Sequence, residues 1–286
     1  MNAPAPAPID IDFEMFAARL FTDLSPGQRC VARLLEGQPP ADDAQADVYA
    51  RLLGRPWRST DGARRVVALL AGTRGGKSYL AALYATYRAL TCSREGLRPG
   101  ERAYIVIVAP KLELARIVLR YVEGIAQSAP REVSAVRADS IDFCRGTTVS
   151  IHAATEGGAS VRGRSLACAI LDEVAFFHDE GYRVNDTAIV GAVLPRLRRG
   201  AQLLAFSTPW RRRGWLHDVW RREREAQRGA MVLHAPTALL NPSYRVAADL
   251  GGATERREVL AEWVDEAAAL FRAEDVAACT RESAAT

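Results

Sequence analysis

Two short stretches hold side chains whose types and spacing could act on a phosphate anhydride. The first is residues 71–78, Ala-Gly-Thr-Arg-Gly-Gly-Lys-Ser. Glycines at 72, 75 and 76 let a turn aim backbone N–H groups inward, where they can cradle phosphate oxygens. Lys77 would reach the β- and γ-phosphates, and the Ser78 hydroxyl would ligate Mg2+. Ala71 stands at the first glycine of the Walker A pattern, and the remaining spacing is kept. Gly72, Thr73, Arg74, Gly75, Gly76, Lys77 and Ser78 are therefore the expected ATP-binding residues. The second stretch is LACAILDEVAFF, residues 166–177. Asp172 closes an apolar run, where a carboxylate can reach the metal's coordination shell. Glu173 follows at once and is placed to take a proton from an attacking water. In a third stretch, LLAFSTPW, Ser207 and Thr208 end another apolar run. Small hydroxyls there could sense the γ-phosphate and pass its loss onward; a plain strand-to-turn transition would look the same.

These residues need a scaffold that brings them to one edge. Residues 65–71 (RVVALLA), 103–109 (AYIVIVA), 166–171 and 201–207 are short apolar runs that read as buried strands. Residues 140–144 and 147–153 flank a turn at Arg145-Gly146. Helical patterns follow at 77–90 and 111–127. Apolar runs alternating with helices argue for a mostly parallel sheet covered on both faces. The expected class is α/β, a P-loop NTPase of the RecA or ASCE kind, with its ligand at the strands' carboxyl ends. Residues 1–12 read as an Ala-Pro leader, 13–60 as a helical segment, 61–237 as the core and 238–286 as a helical end piece. Within the last, EVLAEWVDEAAALF (258–271) is the clearest helical pattern. Residues 38–46 read as a polar linker.

Composition narrows the class further. The chain has 286 residues, 49% hydrophobic and 25% charged, as a globular protein has. The longest apolar run, 103–110, is far too short to cross a bilayer, so no membrane partner is expected. The start has no secretory pattern. Five cysteines without a CxxC pair argue against a zinc site or a disulfide framework and fit a reducing cytoplasm. Cys168 lies in an apolar strand and reads as core. Only two of the 38 cations are lysines, so the Lys77 that persists in a glycine turn gains weight. Arginines cluster at 196–199, 211–213 and 221–224. They could meet phosphate backbones or make a solvated surface, and the sequence leaves both open.

The three stretches, in this order and spacing, resemble the ATPase domain of the large terminase subunit of tailed bacteriophages. The DEVAFF continuation, the FSTPW motif and the tail HAPTALLNPSYRVAADL…VLAEWVDEAAALF carry the resemblance, over roughly residues 20–280. It implies a motor that hydrolyses ATP to move double-stranded DNA into a procapsid. Its implied partners are a homo-oligomeric ring, the portal protein and the small terminase subunit, in the bacterial cytoplasm. It also implies that Gln28 contacts adenine, that Ser207 and Thr208 couple hydrolysis to DNA movement, and that Arg162 is a trans-acting arginine, with Arg164 as its nearby substitute. The family's arginine position in the loop is occupied here by Thr73, with Arg74 one place later. Arg74 joins Glu173, Lys77 and Arg162 as a candidate catalytic residue.

A complete large subunit continues into an RNase H-like nuclease domain. No such acid set occurs here, so DNA cleavage is not expected of this chain. It reads as an ATPase-only fragment, a split or decayed prophage gene, or a trimmed piece. A helicase fragment and a non-hydrolysing prophage remnant are the alternatives. The first would need a second RecA-like domain, and the second is opposed by the intact Lys77, Asp172 and Glu173.

Overall fold

The structure is a computed structural model that describes residues 10–20, 23–154, 158–177, 186–226, 229–245, 250 and 252–264. Its centre is an eight-stranded sheet in the order β3-β4-β5-β2-β6-β7-β1-β8. The strands are β1 Val66–Ala71, β2 Ala103–Ala109, β3 Val133–Val136, β4 Ser140–Phe143, β5 Thr147–Ala153, β6 Ser165–Asp172, β7 Leu197–Ser207 and β8 Met231–Ala235. From β5 to β8 all neighbours are parallel. An antiparallel meander of β3, β4 and β5 finishes the other edge.

Strands buried on both faces read as continuous apolar runs, and the central ones do so here. Alternation then sorts each strand's residues between two cores. Val67, Leu69, Ile105 and Ile107 face one cluster, shared with α1 Phe13–Arg19, α2 Pro26–Leu35, α3 Asp43–Leu53, α4 Lys77–Thr91 and α5 Leu112–Ala126. Ala68, Leu70, Val106 and Val108 face the other, under α6 Asp186–Val193 and α7 Trp215–Ala226. The arrangement is the α/β P-loop class expected from the pattern.

Helix starts follow local chemistry. Ser25 and Gln28 form a capping box at α2, with Pro26 in its first turn. Asp42 caps α3, so the 38–46 stretch is a linker only as far as the cap. α8 Thr237–Leu240 and α9 Gly252–Glu258 complete the described helices. The helix expected over 258–271 does not begin as such: α9 ends at Glu258 and Ala261 has a φ of +56°. Tertiary bonds override the helical pattern there. Thr237 N–H donates to the Val259 carbonyl at 2.8 Å, Glu262 N–H to the Arg256 carbonyl at 2.8 Å, and the His234 ring pairs with the Ala261 carbonyl at 3.0 Å. The rest of that pattern, from residue 265, lies outside the described residues.

Candidate active site

The register across β6, β7 and β1 assembles the site. Asp172 pairs with Phe206, and Ser207 pairs with Leu70. One strand thus separates the glycine loop from the acidic pair, and all three carboxyl ends lie side by side. The loop leaves β1 at Ala71 and enters α4 at Lys77. Gly76 takes a φ of +85° and Arg74 a φ of +63°. No side chain caps α4. Leu80 N–H bonds back to the Gly76 carbonyl at 2.9 Å, so the N–H groups before it in the first turn are not needed by the helix itself. A helix start of this kind, 15 residues long, favours a phosphate.

Lys77 is buried and turned into the site. Its Nζ donates to the carbonyls of Ala71 at 3.1 Å and Gly72 at 3.3 Å, and to Thr208 Oγ1 at 2.9 Å. It also pairs with Glu173 Oε1 at 3.4 Å. Glu173 has a φ of +55°, a conformation that costs a non-glycine residue about 1–3 kcal/mol. Its N–H bonds to the Phe206 carbonyl at 2.7 Å. Its Oε2 accepts from Thr208 N–H at 3.1 Å and Ser207 Oγ at 3.3 Å. The expected coupling residues therefore hold both the lysine and the carboxylate.

Ser78 Oγ donates to Asp172 Oδ2 at 3.1 Å. Asp172 Oδ1 is buried without a partner. Burial, then repulsion from Glu173, pushes the Asp172 carboxyl up to about 7. An orphaned carboxylate oxygen beside a serine hydroxyl is a hard oxygen pair, and it fits Mg2+.

Gln28 lies against the loop at Gly75. Its Nε2 donates to the Gly75 carbonyl at 3.1 Å while its Oε1 accepts from Ser25 N–H at 3.1 Å. Residues that the motif reading did not find complete the loop's wall. Thr237 Oγ1 donates to the Thr73 carbonyl at 2.8 Å and Asn241 Nδ2 to the Arg74 carbonyl at 2.9 Å. Thr73 N–H donates to the Glu258 carbonyl at 2.6 Å, and its hydroxyl to the Glu258 carboxylate. The ends of two motifs also touch: the Phe176 and Trp210 rings lie 4.9 Å apart, with Arg257 4.2 Å over Trp210.

Arg162 is exposed after a 3-10 turn, and no described residue pairs with its guanidinium. Arg164 is engaged within the chain, by the Ser160 carbonyl at 3.1 Å, Ser150 Oγ at 3.2 Å and the face of Tyr104 at 4.7 Å. The Arg74 side chain is exposed at the loop's tip.

The family model described as "Terminase large subunit, T4likevirus-type, N-terminal" matches residues 68–278. The chain belongs to this terminase family. Solved structures of large terminases share the fold. One, from a thermophilic bacteriophage and in complex with ADP, is 14% identical with a TM-score of 0.57, covering 85% of this chain and 54% of that one. The HK97 bacteriophage large terminase is 19% identical with a TM-score of 0.50, over 90% of this chain and 51% of that one. The large terminase ATPase domain of Thermus phage P74-26 is 20% identical with a TM-score of 0.50, over 82% of this chain and 98% of that one. This terminase chain spans about half the length of the first two. Among curated proteins, no sequence matches. No described helix is long and apolar enough to cross a membrane.

Proposed function

We propose that the chain is the ATP-hydrolysing motor domain of a phage or prophage large terminase, which drives double-stranded DNA into a procapsid. One observation carries this reading: Lys77, Ser78, Asp172 and Glu173 converge at the ends of adjacent strands, within hydrogen-bond or ion-pair reach. Gly72 to Ser78 hold the phosphates, and Gln28 adjoins the nucleotide from the side of α2. Ser78 and Asp172 would hold Mg2+, which would supply charge neutralisation for the phosphate oxygens.

Lys77 exchanges the Ala71 and Gly72 carbonyls for phosphate oxygens as the nucleotide enters. That exchange loosens its pairing with Glu173 and leaves the carboxylate to accept hydrogen from water. Glu173 takes the water proton as the water oxygen bonds to the γ-phosphorus. The bond from that phosphorus to the β–γ bridging oxygen breaks, and ADP keeps the electron pair. Thr208 touches both Lys77 and Glu173, so loss of the γ-phosphate changes its contacts first. Trp210 and Arg257 carry that change toward Glu258 and the loop. The exposed guanidinium of Arg162, which no described residue pairs with, supports a trans role in a ring of identical subunits; Arg74 is the second candidate at the loop itself. The core of this unit is 61–237, flanked by 13–60 and 238–286. Its partners are DNA, the portal protein and the small terminase subunit, in the host cytoplasm.

The test is ATP turnover with and without duplex DNA, portal and small subunit. The chain should hydrolyse ATP in their presence, and Lys77→Ala should abolish turnover. Mixing Arg162→Ala with Glu173→Gln subunits should restore part of it. No turnover by the unmodified chain under any of these conditions refutes the motor; no rescue at any ratio refutes the trans arginine.

A further inference from the structure

The amino-terminal ends of the strands, opposite the nucleotide edge, carry a second charged feature. Along β6 and β7 the pairing steps from Leu166↔Leu197 directly to Cys168↔Gln202. Residues 198–201 therefore bulge out opposite Ala167 alone. Gly200 permits this with a φ of +73°. The bulge leaves Arg199 exposed and Arg198 partly so. Bulges re-aim side chains at the cost of ladder bonds, and here the side chains re-aimed are guanidinia.

Two cavities of about 580 Å3 each meet along Arg88 and this bulge, and Arg64 and Arg65 line one of them. The arginines there are bound mainly by backbone. Arg198 donates to the carbonyls of Ser93 and Glu95, Arg65 to those of Leu194 and Leu197. Arg88 reaches the Gly200 carbonyl at 3.5 Å, and its Nε is buried with no partner. Arg64 lies 4.0 Å from Asp61, a carboxylate already held by both terminal nitrogens of Arg55 at 2.7 Å. Carbonyl partners leave the full positive charge in place. Among the described residues, two glutamates line the cavities, Glu36 and Glu95. Glu36 already accepts from Phe13 N–H at 2.8 Å and from the Tyr87 hydroxyl. Glu101, near Arg198, accepts from Ser165 and Arg98 N–H.

Five arginines facing two glutamates form a site for an anion, and guanidinium geometry suits phosphate. Among the described residues, none of the exposed large hydrophobics lines the groove. It therefore lacks the apolar anchor on which protein interfaces centre. We propose that this groove, built on Arg88 and the Arg198-Arg199 bulge, grips the phosphodiester backbone of duplex DNA. The inference rests on the motor reading and says where the DNA is held. β7 then carries both ends of the coupling, with Arg199 at the groove and Ser207 at the nucleotide site, eight residues or roughly 26 Å apart.

The experiment measures duplex DNA affinity against salt for the full chain, with basal ATP turnover and thermal melting as controls. Arg198→Ala/Arg199→Ala should lower the slope of log K against log salt by about 1.8 and weaken binding tens of fold near 0.1 M salt, at unchanged basal turnover. Arg199→Glu alone should lower it in the same direction should the double variant melt early, and Arg199→Lys should keep the slope. Unchanged slope and affinity in a folded variant overturn the groove while leaving the motor reading intact. Displacement of the duplex by inorganic phosphate at equal phosphate concentration would show a small-anion site and overturn it too. Failure of the unmodified chain to bind DNA at any salt overturns both.

Discussion

Replacing Asp172 by Asn in metal-free protein should change stability in a way that depends on pH. The Asp172 carboxyl titrates near 3.8 in an open chain and near 7 when folded, because burial and then Glu173 disfavour its charge. Between those values the folded chain holds a proton that the unfolded chain has released. Stability therefore falls as pH rises through the window, and the loss is complete above about pH 7. Three units correspond to about 4 kcal/mol. Asparagine cannot ionise, so its fixed costs, such as a lost or reversed bond to Ser78, are the same at every pH and drop out of the comparison. The unfolding free energy of Asp172→Asn minus that of the wild type should rise by about 4 kcal/mol from pH 4 to pH 8. Urea unfolding followed by tryptophan fluorescence, in buffer with a chelator, reads this directly. A difference that is flat with pH would refute the claim that a buried, unpaired carboxylate waits here for a cation. Adding Mg2+ at pH 8 should stabilise the wild type more than the variant.

Gly76→Ala should abolish ATP binding, because a Cβ there sits 2.6 Å from Gln28 Nε2 at a φ of +85°; equilibrium binding of a fluorescent ATP analogue checks it. Removing the clash with Gln28→Ala in the same chain should restore little, since the backbone conformation remains unfavourable. Gly72→Ala should free the segment near Glu258, as its Cβ would lie 2.2 Å from Thr237 Oγ1 and 2.7 Å from the Val259 carbonyl. Limited proteolysis should then cut between 240 and 264 faster than in the wild type. Tyr84→Phe should cost about 1–3 kcal/mol, because it strips the Gln202 Oε1 acceptor of its buried donor. Thermal melting measures that loss.

The side chains that gather at the carboxyl ends of β1, β6 and β7 were legible because each group is local. A glycine turn, an apolar run closed by Asp172-Glu173, and a run closed by Ser207-Thr208 announce themselves within a few residues. The parallel sheet followed from the length and apolarity of its strands. β8 and β3 were not read as strands: MVLHA is short and is a strand by virtue of pairing with β1, while β3 is a four-residue, half-exposed edge. α7 was hidden by its arginines, which draw the eye to charge although Leu216 and Val219 turn inward. The loop's wall from Thr237, Asn241 and Glu258 was invisible for a different reason. Those contacts span more than 160 residues of chain, and no spacing rule links them. Other bonds, from Thr237 N–H to the Val259 carbonyl and from the His234 ring to the Ala261 carbonyl, hold the chain beyond the end of α9 at Glu258, where the 258–271 pattern reads as helix.

The most direct test of the site is single-turnover cleavage of ATP at saturating protein, compared between wild type and Glu173→Gln with ATP affinity measured alongside. In the proposed mechanism Glu173 acts on water, and it lies outside residues 72–78. Its amide variant should bind ATP as the wild type does and cleave it at least about 100-fold more slowly. Cleavage at close to the wild-type rate with binding intact would contradict Glu173 as the base, and with it the mechanism built on its contacts to Lys77 and Thr208.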